Sequence, residues 1–369
     1  MTSVIALTLA CLIPLTFLYL MRGVDFYKTG NFRSVLLSVA WGLAAYELAV
    51  LVNTALIDGG IVSRDQLIRF AAPVVEEILK GIIIFYLVSR TDFRYFVDGA
   101  IYGFSAGIGF AIVENFEYVL GHPEAALMIA VSRVFSTNLI HAAGSAILGV
   151  ALGRSRFDHS ASFRRWGALA AGLLLSIGLH TGFNNMASNG MLLIYAIASG
   201  AGAAAFIWYA IRQGLKEEKR WIEEKLPEFD RITFGEAAIV NRFERVKKVL
   251  APVAQHFGDQ TASLCEEFLR KQAHLGILRK SAEKFKDNEP MRLANEDDIV
   301  RTAAEMEKLR KQVGAYAMLY LRTIFPEGGS PVWGLIDERV TAAGAGPAGS
   351  GVWTNLDARV KIKQQEHPE

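Results

Sequence analysis

Ala72-Pro73-Val74-Val75-Glu76-Glu77-Ile78-Leu79-Lys80-Gly81 is the stretch that decides the fold, because it puts three charges into a largely apolar run from about Leu67 to Val88, whose one other charge is Arg69 near its start. A helix rises about 1.5 Å per residue, so that run can cross a hydrocarbon core of roughly 30 Å. A carboxylate at such a depth costs about 2.5 kcal/mol or more on insertion scales. Compensating groups must therefore lie near the two glutamates, and the stretch predicts a membrane helix bundle with a polar centre.

Two interpretations of these charges stand side by side. Lys80 follows Glu76 by four residues and Glu77 by three, so a helix can place its ammonium beside either carboxylate. Pro73 removes a backbone hydrogen bond one turn earlier and tends to kink or loosen the helix beside the acids. The charges are either a self-neutralised ion pair that holds the bundle together or a buried reactive site.

Charged residues divide the chain into two parts. Only 14 of the 39 Lys and Arg residues and 12 of the 37 Asp and Glu residues lie in residues 1–212. We therefore expect a transmembrane domain over 1–212 and a charged, water-soluble extension after it. The formal net charge of +2 gives no reason to expect nucleic-acid binding. Cys11 and Cys265 fall in different parts, so no disulfide is expected between them.

Seven apolar stretches set the expected topology. Each is near or above the length that spans a bilayer: about residues 4–21, 35–57, 66–88, 96–120, 125–152, 166–187 and 190–212. The first, third and fifth loops are positive, with Arg22, Arg90 and Arg154 among their charges, whereas the even loops carry Arg64 alone. The positive-inside rule then places the N-terminus outside and the C-terminus in the cytoplasm. The first stretch lacks a positive n-region and a clear cleavage site, which favours a retained helix over a signal peptide.

The extension is predicted to be helical as well, which makes the fold class all-α. Apolar residues at helical spacing predict amphipathic helices over 236–250 and over 299–324, the latter with Met306 and Tyr320, and another between them that includes Phe268. We expect a cytoplasmic helical domain over 213–327. The Gly, Ala, Pro and Ser residues of the following segment, together with its charged end, predict a flexible tail over 328–369.

Glycines mark one face of the fourth stretch. Gly99, Gly103 and Gly107 repeat at four-residue spacing, which is typical of a helix that another helix approaches closely. This pattern predicts packing and carries no chemistry.

Ionisable side chains of the types that bind metals or move protons occur in four of the apolar stretches. They are Glu76 and Glu77 in the third, Glu114 in the fourth, His141 in the fifth, and His180 in the sixth, where Asn184 follows one turn later. Counted from the cytoplasmic ends, the acids and histidines fall roughly 16–27 Å from the inner edge of the membrane. Because the helices run in opposite directions, a common depth is harder to explain by chance than any single residue.

The chemistry of the group depends on whether its members act together. A single buried histidine, or Asn184, can simply hydrogen-bond a neighbouring helix. Glutamates and histidines together suit a tetrahedral divalent metal site with an open position for water, as in catalytic zinc sites. The His-Glu-x-x-His sequence of soluble metalloproteases is absent. Glu47 and Glu117 are interpreted as ordinary bundle-facing or interfacial acids. Arg133 is interpreted as an ion-pair partner of one of these two acids, and none of the three residues is assigned a catalytic role.

These motifs resemble a known family. Glu76-Glu77-x-x-Lys80, Phe110-x-x-x-Glu114 and His180-x-x-x-Asn184, with His141 between the last two, are similar to the motif set of PrsW-type intramembrane proteases. That group is related to the CAAX prenyl proteases and the bacteriocin-immunity-type membrane peptidases. The resemblance covers roughly residues 35–212. In the wider group the second motif usually ends in His, whereas Glu114 stands here, as in the PrsW branch.

The resemblance implies an intramembrane protease of a prokaryotic cell (inner) membrane that hydrolyses a peptide bond of a membrane protein or peptide. We assign Glu76 as the general base, with Glu77 and Lys80 tuning it, although the residues leave the choice between the two glutamates open. Three further side chains are expected to hold the water, directly or through zinc: Glu114, His141 and His180. Asn184 would orient the His180 imidazole or donate to the oxyanion. A metal-free water activated by a glutamate stays an alternative.

Two other classes of function share these features. A proton- or metal-coupled transporter also collects Glu and His at the membrane midplane, but it typically shows repeated halves with broken helices, and no such repeat is seen. A non-catalytic scaffold or sensor would keep the bundle without needing the clustered groups. The sequence leaves the oligomeric state and the substrate's identity open.

Overall fold

A computed structural model describes residues 2–22, 31–91, 93, 96–157, 162–187, 192–225, 246–286 and 288–323 of the chain. All secondary-structure elements in these ranges are helical. The helices of the first part are α1 (Thr2–Arg22), α2 (Phe32–Asp58), α3 (Arg64–Gln66), α4 (Ala72–Ser89), α5 (Phe96–Gly121), α6 (Ala126–Val134), α7 (Thr137–Phe157), α8 (Ser162–Ala187) and α9 (Leu192–Lys225). The predicted all-α class therefore holds for the described residues.

Within the described residues, five helical segments are long and apolar enough to cross a membrane, which supports an integral membrane protein. They are Thr2–Met21, Phe32–Asp58, Phe96–Gly121, Pro123–Phe157 and Trp166–Met186. The helix α4 is not among them because its 18 residues include Glu76, Glu77 and Lys80. The seven-crossing topology expected from the sequence stays a prediction.

The fifth apolar stretch differs from its predicted form. A single helix was expected over about residues 125–152, but α6 ends at Val134 and α7 begins at Thr137, with a turn at Phe135 and Ser136 between them. A short 3₁₀ turn, Pro123–Ala125, precedes α6. Apolar composition alone cannot locate such a break, because both pieces bury apolar side chains and neither contains an internal proline.

The helix α5 lies at the centre of the bundle and packs against α7 and α2. A Cβ added at Gly103 would overlap the backbone carbonyl of Ser145, and one at Gly107 would overlap that of His141. A Cβ at Gly99 would likewise meet the carbonyl of Gly149 on α7. The glycine face predicted for close helix packing is therefore the contact between α5 and α7.

The helix that carries the two glutamates has an irregular start. Ser63 and Gln66 form a reciprocal capping box on α3, and a π-helical turn, Leu67–Ala71, leads into α4. Pro73 lies in the first turn of α4, where its missing N–H is tolerated. Further along, the indole of Trp41 on α2 donates to the Leu79 carbonyl at 2.8 Å. The rotation of α4 about its axis is therefore fixed at two places: by the capped turn before its first residue and by the Trp41 hydrogen bond about two turns later.

The chain divides into two compact units, residues 1–217 and 218–369. The division falls inside α9, close to the boundary at 212 and 213 that the sequence predicts. Helices of the second unit beyond α9 are α10 (Val246–Val249), α11 (Ala251–Phe257), α12 (Asp259–Lys284), α13 (Glu289–Val313) and α14 (Ala315–Thr323).

Helices α12 and α13 pack side by side and bury Phe268, Leu275 and Met306. The helix predicted over 299–324 is interrupted at Gly314, whose φ of +83° suits a glycine and separates α13 from α14. The predicted tail, 328–369, lies outside the described residues, as do residues 236–245 of the amphipathic segment expected over 236–250.

Candidate active site

Four helices of the first unit bring the predicted polar side chains together. Helix α4 supplies Glu76, Glu77 and Lys80, α5 supplies Glu114, α7 supplies His141 and α8 supplies His180. The helices differ widely in sequence position, so their packing, led by the glycine contact of α5 with α7, assembles the group.

Glu77 is the most strongly bound carboxylate of the group. Its Oε1 accepts from Lys80 Nζ at 2.5 Å and lies 3.0 Å from His180 Nδ1, while its Oε2 accepts from Ser176 Oγ at 2.6 Å. The side chain is only 1% exposed. Glu77 therefore has donors on both oxygens, and the buried charge of Lys80 is neutralised by it rather than by Glu76.

The contacts of His141 define its tautomer. Its Nδ1 lies 2.9 Å from Lys80 Nζ, and its Nε2 lies 2.9 Å from Glu114 Oε2. An ammonium has donors and no acceptor, so Nδ1 must accept from Lys80 and Nε2 must carry the proton. The imidazole of His141 consequently donates to Glu114, which places a carboxylate behind this ring just as Glu77 lies behind the ring of His180.

Glu76 differs from the other two carboxylates. Its Oε2 lies 3.7 Å from His180 Nε2, beyond hydrogen-bond distance. Because Glu77 and Glu114 are both occupied by short contacts, Glu76 is the carboxylate of the three that is best placed to meet water or an ion.

Glu76, His141 and His180 form a possible metal-binding group. One ligand atom from each lies within 4.8 Å of the other two. A carboxylate and two imidazoles match the donors of catalytic zinc sites, and a carboxylate behind each ring is the usual support for a metal-bound histidine. Because both nitrogens of His141 already have partners, coordination through its Nδ1 would replace the contact with Lys80.

Aromatic rings and a glycine enclose the site. The rings of His141 and His180 meet edge to face with centroids 4.6 Å apart, and Phe110 lies 5.0 Å from His141. A Cβ at Gly144 would come within 2.6 Å of Ser176 Oγ, so only glycine leaves room there for the serine that donates to Glu77. Helix α7 can therefore approach α8 closely at this level.

Two of the predicted site residues, Glu114 and Asn184, make contacts that the sequence did not predict. Glu114, expected to hold the water or zinc, binds His141 and also Arg133, whose NH2 lies 2.7 Å from its Oε2. Asn184, expected at His180 or at the oxyanion, donates through Nδ2 to the Ile68 carbonyl of the π-helical turn at 2.8 Å. The possible metal-binding group contains Glu76 with both histidines, whereas Glu114 contacts His141, and the expected role of Glu114 as a ligand of the water or zinc stays a prediction.

Sequence reasoning missed three side chains at the site. Ser176 lies one turn before His180, a spacing that could have drawn attention to it. Arg133 was interpreted as a partner of a non-catalytic acid, whereas Glu117 hydrogen-bonds Tyr46 and Arg133 pairs with Glu114. Asn115, adjacent to Glu114, accepts from Arg133 Nε at 2.9 Å. No local pattern distinguishes these residues from ordinary membrane-helix packing.

Comparison with known proteins finds similarity to one family of membrane proteases. Residues 30–211 match the PrsW family intramembrane metalloprotease model. The chain is similar to Protease PrsW of Geobacillus kaustophilus (28% identity over 158 residues, 42% of this chain and 68% of the relative). It is also similar to Protease PrsW of Shouchella clausii (29% identity, 33% of this chain and 55% of the relative) and of Bacillus subtilis (31% identity, 30% and 49%).

The chain spans about half the length of the last two relatives. No solved structure matches it. The residues that match the family include Glu76, His141 and His180, whose side chains converge inside the helix bundle. Residues 30–211 match the PrsW family of intramembrane metalloproteases, and together with these relatives this match supports an intramembrane peptidase.

Proposed function

We propose that the whole chain acts as a zinc-dependent intramembrane protease, which hydrolyses a peptide bond of a membrane protein within or beside the bilayer. One observation carries this proposal: Glu76, His141 and His180 offer ligand atoms within 4.8 Å of one another, between helices that match a metalloprotease family. The two histidines are buried, so the group can exclude bulk water while substrate is bound.

Zinc would be held by Glu76, His141 and His180, and when bound it supplies an activated water and polarises the scissile carbonyl. Glu77 and Glu114 each hold one imidazole in place. If water is instead activated without a metal, Glu76 would take its proton as the general base that the sequence suggested, a role separate from that of a zinc ligand. Lys80 neutralises one of the two adjacent carboxylates, Glu77, through their buried ion pair.

Asn184 receives a positioning role in this proposal. Its hydrogen bond to Ile68 ties α8 to the turn that leads into α4, and Asn185 makes a longer contact, 3.4 Å, to the Arg69 carbonyl. These bonds connect the helix of His180 to the helix of the glutamates, so they support the geometry of the site rather than the reacting atoms.

The experiment compares membrane peptides in cells that express the wild-type protein or Glu76→Gln. New N-termini identified by mass spectrometry should appear with the wild type and fall by about 10²-fold or more with the variant, since removing a catalytic carboxylate costs about that much. Glu47→Gln, a change outside the site, is the matched control and should keep most cleavage. If a folded Glu76→Gln protein cleaves as well as the wild type, the proposed site is wrong.

The metal is tested on protein purified in detergent. We expect about one zinc per chain by elemental analysis for the wild type and clearly less for His180→Ala, because one of three ligands is lost. Wild-type protein that cleaves without any bound metal would replace zinc with the glutamate-activated water.

We further propose the finer topology and domain plan. Loop charges support seven crossings with the N-terminus outside and the C-terminus in the cytoplasm of a prokaryotic inner membrane, with a cytoplasmic helical domain over 213–327 and a tail over 328–369. A reporter that is active only outside the cytoplasm, fused after Arg212, should be inactive. An active fusion would contradict the number of crossings or the orientation.

A further inference from the structure

Arg133, which was expected only to form an ion pair with a non-catalytic acid, lies in the last turn of α6 and reaches Glu114 at the edge of the site. Its NH2 lies 2.7 Å from Glu114 Oε2, and its Nε donates to Asn115 Oδ1 at 2.9 Å. Two atoms of one planar guanidinium therefore contact two consecutive residues of α5. A lysine has no such fork and could not make both contacts in this geometry.

Two further contacts hold the guanidinium and its partner in place. The Cζ atom of Arg133 lies 3.7 Å from the ring centroid of Tyr118, one turn after Glu114, which is the distance of a close cation–π contact. The amide of Asn115 in turn donates to Asn138 Oδ1 on α7 at 2.9 Å. Arg133 is thus fixed against a face of α5 that is itself tied to the helix of His141.

The backbone from which Arg133 extends is also well supported. Ala126 and Ala130 of α6 are buried against small and branched side chains of two other helices: Ala6, Ala10 and Val119. The first two belong to α1, which precedes the family-matched residues 30–211. Small residues at this contact let α6 approach closely, so the arginine has little freedom to move away from Glu114.

The same oxygen of Glu114 that pairs with Arg133 also lies 2.9 Å from His141 Nε2. An oxygen held by a fixed cation is a stationary acceptor, so it fixes the orientation of the imidazole that donates to it. That orientation directs His141 Nδ1 at Lys80 Nζ, 2.9 Å away, so Nδ1 would join the proposed metal group by exchanging this contact for the metal. In its described contacts Arg133 touches Glu114, Asn115 and Tyr118, so it acts on the centre through Glu114.

We propose that Arg133 is a positioning residue of the active site, which holds Glu114 so that Glu114 presents His141 Nδ1 to the metal group. The inference rests on the proposed function. It predicts that changing Arg133 weakens zinc binding and slows the chemical step, with little effect on substrate affinity, because the arginine lies behind the ligand and not against the substrate.

The test measures zinc affinity of purified protein by competition with a chelating dye, without any substrate. Arg133→Gln should weaken zinc binding by about 10-fold, the lower end of the usual effect of losing a group that contacts a metal-bound histidine, because Arg133 acts through Glu114. Arg133→Lys keeps the charge and should fall between the wild type and Arg133→Gln. Cleavage of a substrate found in the peptide comparison should lose kcat by a similar factor, with KM changed by less than about threefold.

Arg310→Gln is the matched control for the loss of a half-buried arginine. Arg310 NH1 lies 2.8 Å from Glu307 and its guanidinium lies over the ring of Phe268, an arrangement like that of Arg133, but in the second unit. Its zinc affinity should equal that of the wild type. A general cost of breaking such pairs would lower thermal stability in both variants, whereas only Arg133→Gln should lower zinc affinity.

A double substitution tests whether Arg133 acts through Glu114. Once Glu114→Ala has removed the acceptor, adding Arg133→Gln should weaken zinc binding by less than about twofold more, because coupled residues are not additive. Full multiplication of the two effects, or wild-type zinc affinity and kcat in Arg133→Gln, would overturn the proposal. If Arg133→Gln fails to fold, wild-type values for Arg133→Lys would overturn it instead.

The outcomes separate this inference from the proposed function. Wild-type protein that neither binds zinc nor cleaves would contradict the proposed function itself. Wild-type protein that does both, with Arg133→Gln unchanged, would contradict the positioning role alone. If the wild type cleaves without zinc, an unchanged kcat in Arg133→Gln would overturn the positioning role, and a lower kcat with nearly unchanged KM would support it.

Discussion

Glu77 Oε1 lies 3.0 Å from Nδ1 of His180, and this contact turns the other nitrogen of the ring toward Glu76. Glu114 bears the same relation to His141, but through Nε2. Each histidine of the site therefore has one carboxylate behind it, and the third carboxylate, Glu76, stands in front. Three acids in one membrane site are accommodated because two of them serve as acceptors for fixed donors.

Glu77 and Lys80 are expected to be strongly coupled in stability. Both side chains are fully buried and only 2.5 Å apart, so removing one partner leaves an uncompensated charge inside the bundle. Lys80→Met should cost about 3–5 kcal/mol of unfolding free energy. The double variant Glu77→Gln, Lys80→Met should be more stable than the sum of the single changes by about 1–3 kcal/mol. Thermal or denaturant unfolding in detergent measures both.

The exposed pair Arg292–Glu296 provides the control for this cycle. It has a similar separation, 2.6 Å, but both side chains are more than a third exposed, so its loss should cost no more than about 1 kcal/mol. Additive effects of Glu77→Gln and Lys80→Met would show that the pair is not formed as described. The double variant should remain inactive in cleavage even where its stability returns, because Glu77 also orients His180.

The convergence of Glu76, Glu77, Glu114, His141 and His180 could be predicted from sequence, because charge in a membrane helix is costly enough to be informative. Helix direction and a rise per residue then place each group at a depth. The same residues carried the resemblance to PrsW-type proteases in the sequence, and the match of residues 30–211 to that family's model supports the resemblance.

Rotation about the helix axes could not be predicted in the same way. Depth does not tell whether Glu76 or Glu77 faces Lys80, because adjacent residues differ by about 100° on a helix and both directions can be buried. The break at Phe135 was missed for a related reason: apolar residues continue through it. That break ends α6 near Glu114, so the role of Arg133 became visible only with the packing of α6 on α1.

Cys265 is expected to react slowly with thiol reagents in the folded protein. Burial in α12 raises its pKa to about 12, so at pH 8 only about 10⁻⁴ of it is thiolate, against about a quarter for an exposed cysteine with a pKa near 8.5. In a Cys11→Ser background, maleimide labelling at pH 8 should be at least about 10²-fold slower before unfolding than after it. Raising the pH to 9 should leave most of the thiol protonated, because the pKa is still higher.

Val300→Cys in a background without the two native cysteines is the control, because Val300 is 70% exposed on α13. It should label rapidly, and its rate should level off as the pH passes its own pKa. If Cys265 labels within about tenfold of that rate in the folded protein, the packing of α12 against α13 is looser than the structure shows.

Gly107 connects helix packing to the active site, since a Cβ there would overlap the backbone carbonyl of His141. Gly107→Ala must push α7 away from α5 or distort it at the residue that holds Glu114. We expect a loss of about 1–3 kcal/mol in stability, as for other overpacked interiors, and a loss of cleavage and zinc affinity larger than the change in stability explains.

Gly178→Ala is the matched control in α8, because no atom lies within 4 Å of its added Cβ. That change should be neutral or stabilising by about 0.5–1 kcal/mol, as expected for replacing glycine inside a helix. Unfolding curves and zinc competition on both variants decide the matter: equal behaviour of the two glycines would mean that α5 and α7 do not meet at His141.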